Sequence, residues 1–371
     1  MKVAILGTRG YPYVYGGYET FVSRVAPGLA EKGFEVTVYC HRGLFRDRPA
    51  IVNGVRLAYV PAIEHKVLSQ FTHSFLSTIH ALASGHDILL FVNTANGPFG
   101  LLAKWMKRKT VMNTDGLEWL RPKWKGFGAK YFRWASALSA RVFDVLVADA
   151  VAMQDIYQRE FGRSSVVIAY GADVIRSVKP ELLSKFGLTA GDYYLVVGRL
   201  VPDNNADIII REFLATSSKR KLVVVGDVPY EDPYARRVKA MGNDRVVFTG
   251  YICDVEMLNE LYCNAFAYIH GHEFGGTNPT LLKAMASGSA ILALNTVFNR
   301  EVLAGDKHGL YFEKTPGDLA IAIRTTEEQP ERVALLKKGI RERVQSEYNW
   351  PKIIDQYAGL LAGMIPHSGP K

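Results

Sequence analysis

The stretch HGHEFGGTNPTLLKAMASG, from His270 to Gly288, decides how the rest of the chain is read. One apolar run, Ala265 to Ile269, precedes it and another, Ala290 to Leu294, follows it. Both have the length of buried parallel strands. Between them the pattern predicts a helix: Thr277 or Asn278 suits the N-cap, Pro279 the first position and Gly288 the end. Leu281, Leu282, Met285 and Ala286 give that helix one apolar face. Its N-terminus opens at the carboxyl end of a strand, where free backbone N–H groups and the helix dipole favour an anion. Gly275 and Gly276 let the anion come close to the backbone.

The same residues resemble the donor site of retaining glycosyltransferases of family 4. Within that family they are most similar to a bacterial β-1,4-rhamnosyltransferase-like subgroup that assembles polysaccharides and carries an HGH-x-x-GGTNP signature. The resemblance covers nearly the whole chain. It implies an α/β fold of the GT-B type: two Rossmann-like domains whose parallel sheets face each other across a cleft holding a nucleotide-sugar. The implied division is residues 1–172, joined by the C-terminal helix 350–371, on the acceptor side and 173–349 on the donor side. It further implies transfer of L-rhamnose from dTDP-rhamnose to a lipid-linked saccharide, without a metal or other cofactor.

The chain also departs from the wider family, which carries two glutamates eight positions apart. Here the second position is Lys283 and the first is Gly275, with Glu273 the nearest carboxylate. In the family the second glutamate binds both ribose hydroxyls. A deoxyribose nucleotide such as dTDP lacks one of them, so losing that carboxylate fits a dTDP-sugar. The plainer reading of Lys283 is a solvated helix residue.

A length of 371 residues predicts two domains. Three cysteines, Cys40, Cys253 and Cys263, make no disulfide framework and no metal spacing, which suits a reducing cytoplasm. Lys2 to Leu6 reads as a strand with no signal-like segment before it. No apolar run reaches the roughly 20 residues that a membrane span needs. The net charge of +9 favours an anionic partner: a phosphate-bearing substrate, an acidic membrane face or nucleic acid. Nucleic acid is the weakest of these, because no zinc-finger spacing, RNP pattern or long basic arm is present.

In the first half, strand Lys2–Gly7, a Gly/Tyr/Pro-rich loop and a helix from about Tyr18 to Lys32 form a βαβ unit with strand Glu35–Cys40. Pro27 inside that helix should kink it or remove a hydrogen bond. The glycine spacing is not G-x-G-x-x-G, and no acidic residue ends the second strand, so NAD is disfavoured. The resemblance turns Gly16 and Gly17 toward the donor phosphates and the acceptor, with Glu19, Asn113, Asp115 and Glu118 on the acceptor side. Asp115 and Glu118 lie just past a strand end, where open α/β sheets bind ligands. They can bind sugar hydroxyls, or Asp115 can take the acceptor proton; the alternative is an Asp-Gly turn with a cap. Trp119, Trp124, Phe127, Tyr131, Phe132 and Trp134 then interleave with Arg121, Lys123, Lys125, Lys130 and Arg133. This suits an anionic lipid surface or a polyprenyl-diphosphate-linked acceptor, hence a cytoplasmic protein peripheral to the inner face of the membrane. An amphipathic helix with its aromatics packed inward reads the same way.

In the second half, Tyr170 to Asp173 resembles the family's hinge. The family clamps the donor diphosphate with an arginine after the next strand and a lysine a few residues on; here these positions hold Arg199 and Asn204 or Asn205. The planar fork of Arg199 suits phosphate oxygens. Tyr251 to Asp254 would face the nucleobase. No D-x-D pair for a metal-diphosphate appears, and His270 with His272 lacks a third ligand for zinc. These histidines are expected instead to hydrogen-bond sugar or phosphate, beside Gly275, Gly276, Thr277, Asn278 and Lys283. Glu301 occupies a family-like position at a helix start near the donor. Asp115, Arg199 and Glu273 are the candidate catalytic residues. A competing function is a nucleotide-sugar binding protein with weak or no transfer, motivated by Lys283 and by the missing lysine near Asn204.

Overall fold

The computed structural model describes residues 1–12, 16–63, 68–114, 116–122, 124, 126–228 and 230–365. The chain divides into two compact units. One comprises 1–120, 124–170 and 350–371, the other 121–123 and 171–349.

The first unit is built on strands β1 (Lys2–Leu6), β2 (Glu35–His41), β3 (Ile51–Val52), β4 (Val55–Val60), β5 (Ile88–Val92), β6 (Lys109–Asn113), β7 (Val145–Ala148) and β8 (Val166–Val167). They lie in the order β3-β4-β2-β1-β5-β6-β7-β8. Among the described residues only the β3–β4 pair is antiparallel. The central strands are continuous apolar runs because helices cover both faces of a parallel sheet; every residue of β5 is buried. Strand β8 is only two residues long and lies at the sheet edge. Helices α1 (Gly17–Glu31), α2 (Leu68–Ala83), α3 (Gly100–Trp105), α4 (Phe127–Val142) and α5 (Val151–Phe161) make the connections. Helices α2 to α5 pack side by side in chain order, as right-handed crossovers stepping one way along a sheet require. Helix α1 runs unbroken through Pro27.

The second unit holds β9 (Tyr193–Val197), β10 (Lys221–Val225), β11 (Val246–Gly250), β12 (Ala267–His270), β13 (Ala290–Leu294) and β14 (Gly309–Phe312). Their order is β11-β10-β9-β12-β13-β14, all parallel. Helices α6 (Ala206–Leu214), α7 (Pro233–Lys239), α8 (Val255–Cys263), α9 (Pro279–Ala286), α10 (Val297–Val302), α11 (Asp318–Glu328), α12 (Pro330–Lys337) and α13 (Ile340–Glu347) surround the sheet. Four of these helices are closed at the N-terminus by short polar side chains: Asp232 caps α7, Asp254 caps α8, Asn278 caps α9 and Thr296 caps α10. The core joins the sheet residues Tyr194, Leu222, Ile269 and Leu292 to Ile209, Phe213 and Ile323. The last helix, α14 (Trp350–Gly363), belongs to the first unit and packs on α1. Gly28 permits this contact, since a Cβ there would meet Ile354 Cδ1 at 2.5 Å. No described helix is long and apolar enough to cross a membrane. Two α/β units with parallel sheets are what the sequence led us to expect.

Candidate functional site

Strands β9 and β12 are neighbours, with Leu195 opposite Tyr268. The loops that leave them therefore open side by side, at the carboxyl edge where such sheets take ligands. The two loops come unusually close: a Cβ on Gly271 would lie 2.4 Å from the Asn204 carbonyl oxygen. Asn205 Nδ2 donates to Gly271 O at 2.9 Å. Asn204 Nδ2 donates to Arg199 O at 2.8 Å, and Asn204 Oδ1 lies 2.8 Å from His272 Nδ1. Asn204 is thus a tie between the Arg199 turn and the histidine loop, with both ends of its amide engaged.

Arg199 itself is exposed, and among the described residues its guanidinium has no hydrogen-bond or ion-pair partner. His272 is held well below the ordinary imidazole pKa by burial first, then by the Arg121, His270 and Arg199 charges, and is therefore neutral. Helix α9 begins as expected: Asn278 Oδ1 accepts from Thr280 N at 2.9 Å and Pro279 follows it. Since the Asn278 side chain is taken up by the helix, an anion at this end meets backbone, and Gly275, with φ +140°, supplies a turn that other residues adopt poorly.

His270 is buried at the end of β12. Its Nδ1 lies 3.3 Å from Tyr268 Oη, which donates to Thr280 Oγ1 at 3.1 Å. Its Nε2 is buried and has no hydrogen-bond partner among the described residues. Burial lowers its pKa from 6.5 to about 3. Above pH 6.5 both folded and unfolded forms are neutral and the group adds no pH dependence. Between about 6.5 and 3 only the unfolded chain binds the proton, so stability falls as the pH falls, at about 1.4 kcal/mol per pH unit for one proton. Urea unfolding between neutral pH and pH 5 should show a shallower slope in His270→Gln than in the native protein. Equal slopes would mean that His270 already carries its proton when folded.

Other candidates are engaged within the fold. Glu273 accepts from Lys314 Nζ at 2.7 Å. Lys283 is neither in that loop nor fully solvated: its ammonium stands 5.7 Å from the centre of the Tyr262 ring on α8, and burial lowers its pKa. Glu301 lies in the last turn of α10, not at a helix start; Thr296 is the cap, with Oγ1 accepting from Asn299 N at 3.1 Å. Asp254 caps α8 through Glu256 N and Met257 N. Among the described residues no three His, Cys, Asp or Glu gather to hold a metal ion.

The structure adds Arg121, which the sequence had grouped with the lipid-facing cations. It belongs to the second unit. There its Nη1 is 3.6 Å from the buried carboxylate of Asp203, and its Nη2 donates to Phe274 O at 3.1 Å. No local pattern around Arg121 marks this, because its partners lie more than 80 residues away in the chain.

In the first unit the acceptor-side candidates gather at the carboxyl ends of β1 and β6, which flank β5. Gly16 is the N-cap of α1, and Gly17 is its first residue. Glu19 is buried and folds back to accept from Arg9 N at 3.3 Å. Asn113 donates to Tyr357 Oη at 2.9 Å, and Glu118 accepts from Trp124 Nε1 at 2.7 Å. Asp115, Lys123 and Lys125 lie outside the described residues. Some aromatics of this segment pack on neighbouring rings: Trp119 on Tyr157 and Phe161, and Trp124, itself exposed, on a buried Phe132. Phe127 and Trp134 remain outward.

Residues 15–176 match the family described as Glycosyltransferase Family 4, and residues 191–328 match Glycosyl transferases group 1. The chain is built from two glycosyltransferase domains. Similar solved structures share the GT-B fold with this transferase. Sucrose-phosphate synthase from Thermosynechococcus elongatus is 19% identical, with a TM-score of 0.82, covering 98% of each chain. The Anabaena protein HepE in complex with UDP-glucose is 18% identical, with a TM-score of 0.77, covering 98% of this transferase and 100% of HepE. WaaG, a glycosyltransferase involved in lipopolysaccharide biosynthesis, is 15% identical, with a TM-score of 0.71, at 98% and 100% coverage. No curated protein matches the transferase by sequence.

Proposed function

We propose that this glycosyltransferase is a retaining, metal-independent enzyme that moves L-rhamnose from dTDP-rhamnose onto a lipid-linked saccharide in the assembly of a bacterial surface polysaccharide. The observation that carries the reading is the Arg199 guanidinium, unpartnered among the described residues, in a turn tied through Asn204 to the loop that leads into α9. A diphosphate between that guanidinium and the α9 N-terminus would meet a bidentate donor and a positive dipole end. As the bond from the sugar C1 to the diphosphate oxygen breaks, both groups stabilise the charge that builds on the leaving oxygen. The acceptor hydroxyl forms its bond to C1 on the same face. Its proton passes to a diphosphate oxygen or to Asp115. Glu273 takes part only by exchanging Lys314 for a sugar hydroxyl. The choice of a deoxyribose nucleotide rests on Lys283, which replaces a ribose-binding carboxylate and packs against Tyr262. HepE, of similar fold, binds UDP-glucose, another pyrimidine nucleotide-sugar.

A thermal-shift series with dTDP, UDP and GDP tests the donor. The matching nucleotide at about a hundred times its Kd should stabilise the protein by about 2.7 kcal/mol. We expect dTDP to give the largest shift, and dTDP-rhamnose with a synthetic polyprenyl-diphosphate saccharide to give transfer. Stabilisation by UDP alone would overturn the choice of base. Tight donor binding with no transfer over a broad acceptor panel would favour a nucleotide-sugar binding protein, the reading to which Lys283 also lends itself.

A further inference from the structure

Asn93, the residue that leaves β5, holds a strained backbone. Its φ is 70° and its ψ 118°. Asn205 and Ala304 also have positive φ, but with ψ of 33° and 48° they sit in the ordinary left-handed helical well. Asn93 lies outside that well, where a Cβ is opposed, and such strain persists only if the surroundings fix it. Here they do. Asn96 Nδ2 donates to Val92 O at 2.8 Å, and Tyr131 Oη, on α4, donates to Ala95 O at 2.7 Å. Gly97 lies so close to α4 that a Cβ would stand 2.4 Å from Ser139 Oγ and 2.5 Å from Ala135 O. The side chain joins in through Oδ1, which accepts from Ala95 N at 2.9 Å. A glycine would adopt this backbone more easily, and an aspartate would accept the same bond. What asparagine alone adds is the amide N–H donor.

That donor, Asn93 Nδ2, has no partner among the described residues. A second orphan lies beside it. Thr8 is 2% exposed, and its Oγ1 has no hydrogen-bond partner among the described residues. A buried hydroxyl left so costs stability unless something pairs with it. Leu6 is registered against Phe91. Thr8 and Asn93, each two residues further on, therefore leave adjacent strands at one level, and adjacent strands stand about 4.8 Å apart. Residues 3–8 and 88–103 carry no charged side chain, so these segments offer a phosphate or carboxylate no counter-charge. An amide that donates and a hydroxyl that donates or accepts match the hydroxyls of a sugar.

We propose that Asn93 Nδ2 and Thr8 Oγ1 bind hydroxyl groups of the acceptor saccharide and help to select it. The strain at Asn93 is then retained for binding, a stability cost that functional sites commonly carry. Both residues belong to the first unit, as do Glu19, Asn113 and Glu118. The inference rests on the reading of this transferase as one that uses a saccharide acceptor, and on neither the base nor the sugar of the donor.

Three variants test it, assayed with the synthetic polyprenyl-diphosphate saccharide as acceptor and with whichever nucleotide-sugar the thermal-shift series selects as donor. Asn93→Gly and Asn93→Ala both remove the amide, and only alanine keeps the Cβ. Each should raise the acceptor KM about fivefold, the loss of one hydrogen bond to a neutral group, with the donor KM and the nucleotide thermal shift at their native values. Asn93→Gly should melt about 2 °C above Asn93→Ala, the reverse of the usual order of these two residues. Thr8→Val puts a methyl in place of the hydroxyl. It should raise the acceptor KM by a similar factor while melting at or above the native midpoint, since no bond within the fold is lost. A native acceptor KM in any of the three variants would overturn the proposal, as would an alanine variant that melts above the glycine variant. A wrong choice of base or sugar shows elsewhere, in the thermal-shift series and in the identity of the working donor, and leaves these comparisons intact.

Discussion

Arg199→Ala is expected to lower sugar transfer by at least about a hundredfold, the cost of removing one donor aimed at a developing oxyanion. The argument rests on what the side chain lacks. It is exposed and unpartnered among the described residues, so its removal leaves no buried carboxylate uncompensated and opens no cavity. Thermal stability should therefore stay within about 0.5 kcal/mol of the native value, and the loss should fall on kcat rather than on folding. Arg199→Lys restores the charge without the planar fork and should recover only part of the rate. The two outcomes separate a residue that meets the leaving diphosphate from one that merely decorates a strand end. An alanine variant that turns over at the native rate would remove Arg199 from the site, and the proposed charge stabilisation with it.

Gly271→Ala should be among the more damaging single changes in the second unit. Its Cβ would stand 2.4 Å from Asn204 O and 2.9 Å from Ile209 Cδ1. The carbonyl cannot swing aside as a side chain would. Asn204 N is bonded to Val201 O at 3.0 Å, and Asn205 is anchored through its side chain to Gly271 O. The β9 and β12 loops must therefore part, breaking the Asn205–Gly271 bond and pulling Asn204 away from His272. Overpacking and lost buried hydrogen bonds together place the cost at about 3 kcal/mol or more. Urea unfolding gives the number directly; a loss below about 1 kcal/mol would mean that the loops separate freely and that their close approach is not a constraint. Because the same contacts position the Arg199 turn, transfer should fall with stability, in contrast to Arg199→Ala.

How far the chain could be read beforehand differs between its elements. The helix after the glycine pair was legible in detail: Pro279 first, Leu281, Leu282 and Met285 buried, and a cap at Thr277 or Asn278, of which the structure uses Asn278. Each of those roles is decided within one turn of backbone. The acidic candidates were harder. Glu301 looked like the start of a helix, yet the cap of α10 is Thr296, five residues before Glu301. Glu273 stood out as a free carboxylate, but Lys314, far along the chain, holds it. The basic aromatic segment combined two behaviours in one pattern. Trp119, Trp124 and Phe132 pack against their own unit, whereas Phe127 and Trp134 face outward. A helix with aromatics and lysines at helical spacing has the same periodicity in either case.

The amino-acid order alone settled most of the strands, the helix that follows the glycine pair and the two parallel α/β sheets. These depend on hydrophobic period, glycine placement and caps, which act over a few residues. Tertiary structure decided which side chains remain available for chemistry. It bound both ends of the Asn204 amide, set Arg121 beside Asp203, turned Lys283 onto Tyr262 and left Arg199 open. A side chain's partner depends on which loops the sheet order brings together. That order pairs β9 with β12 across some 70 residues of chain, a separation over which local pattern carries no information.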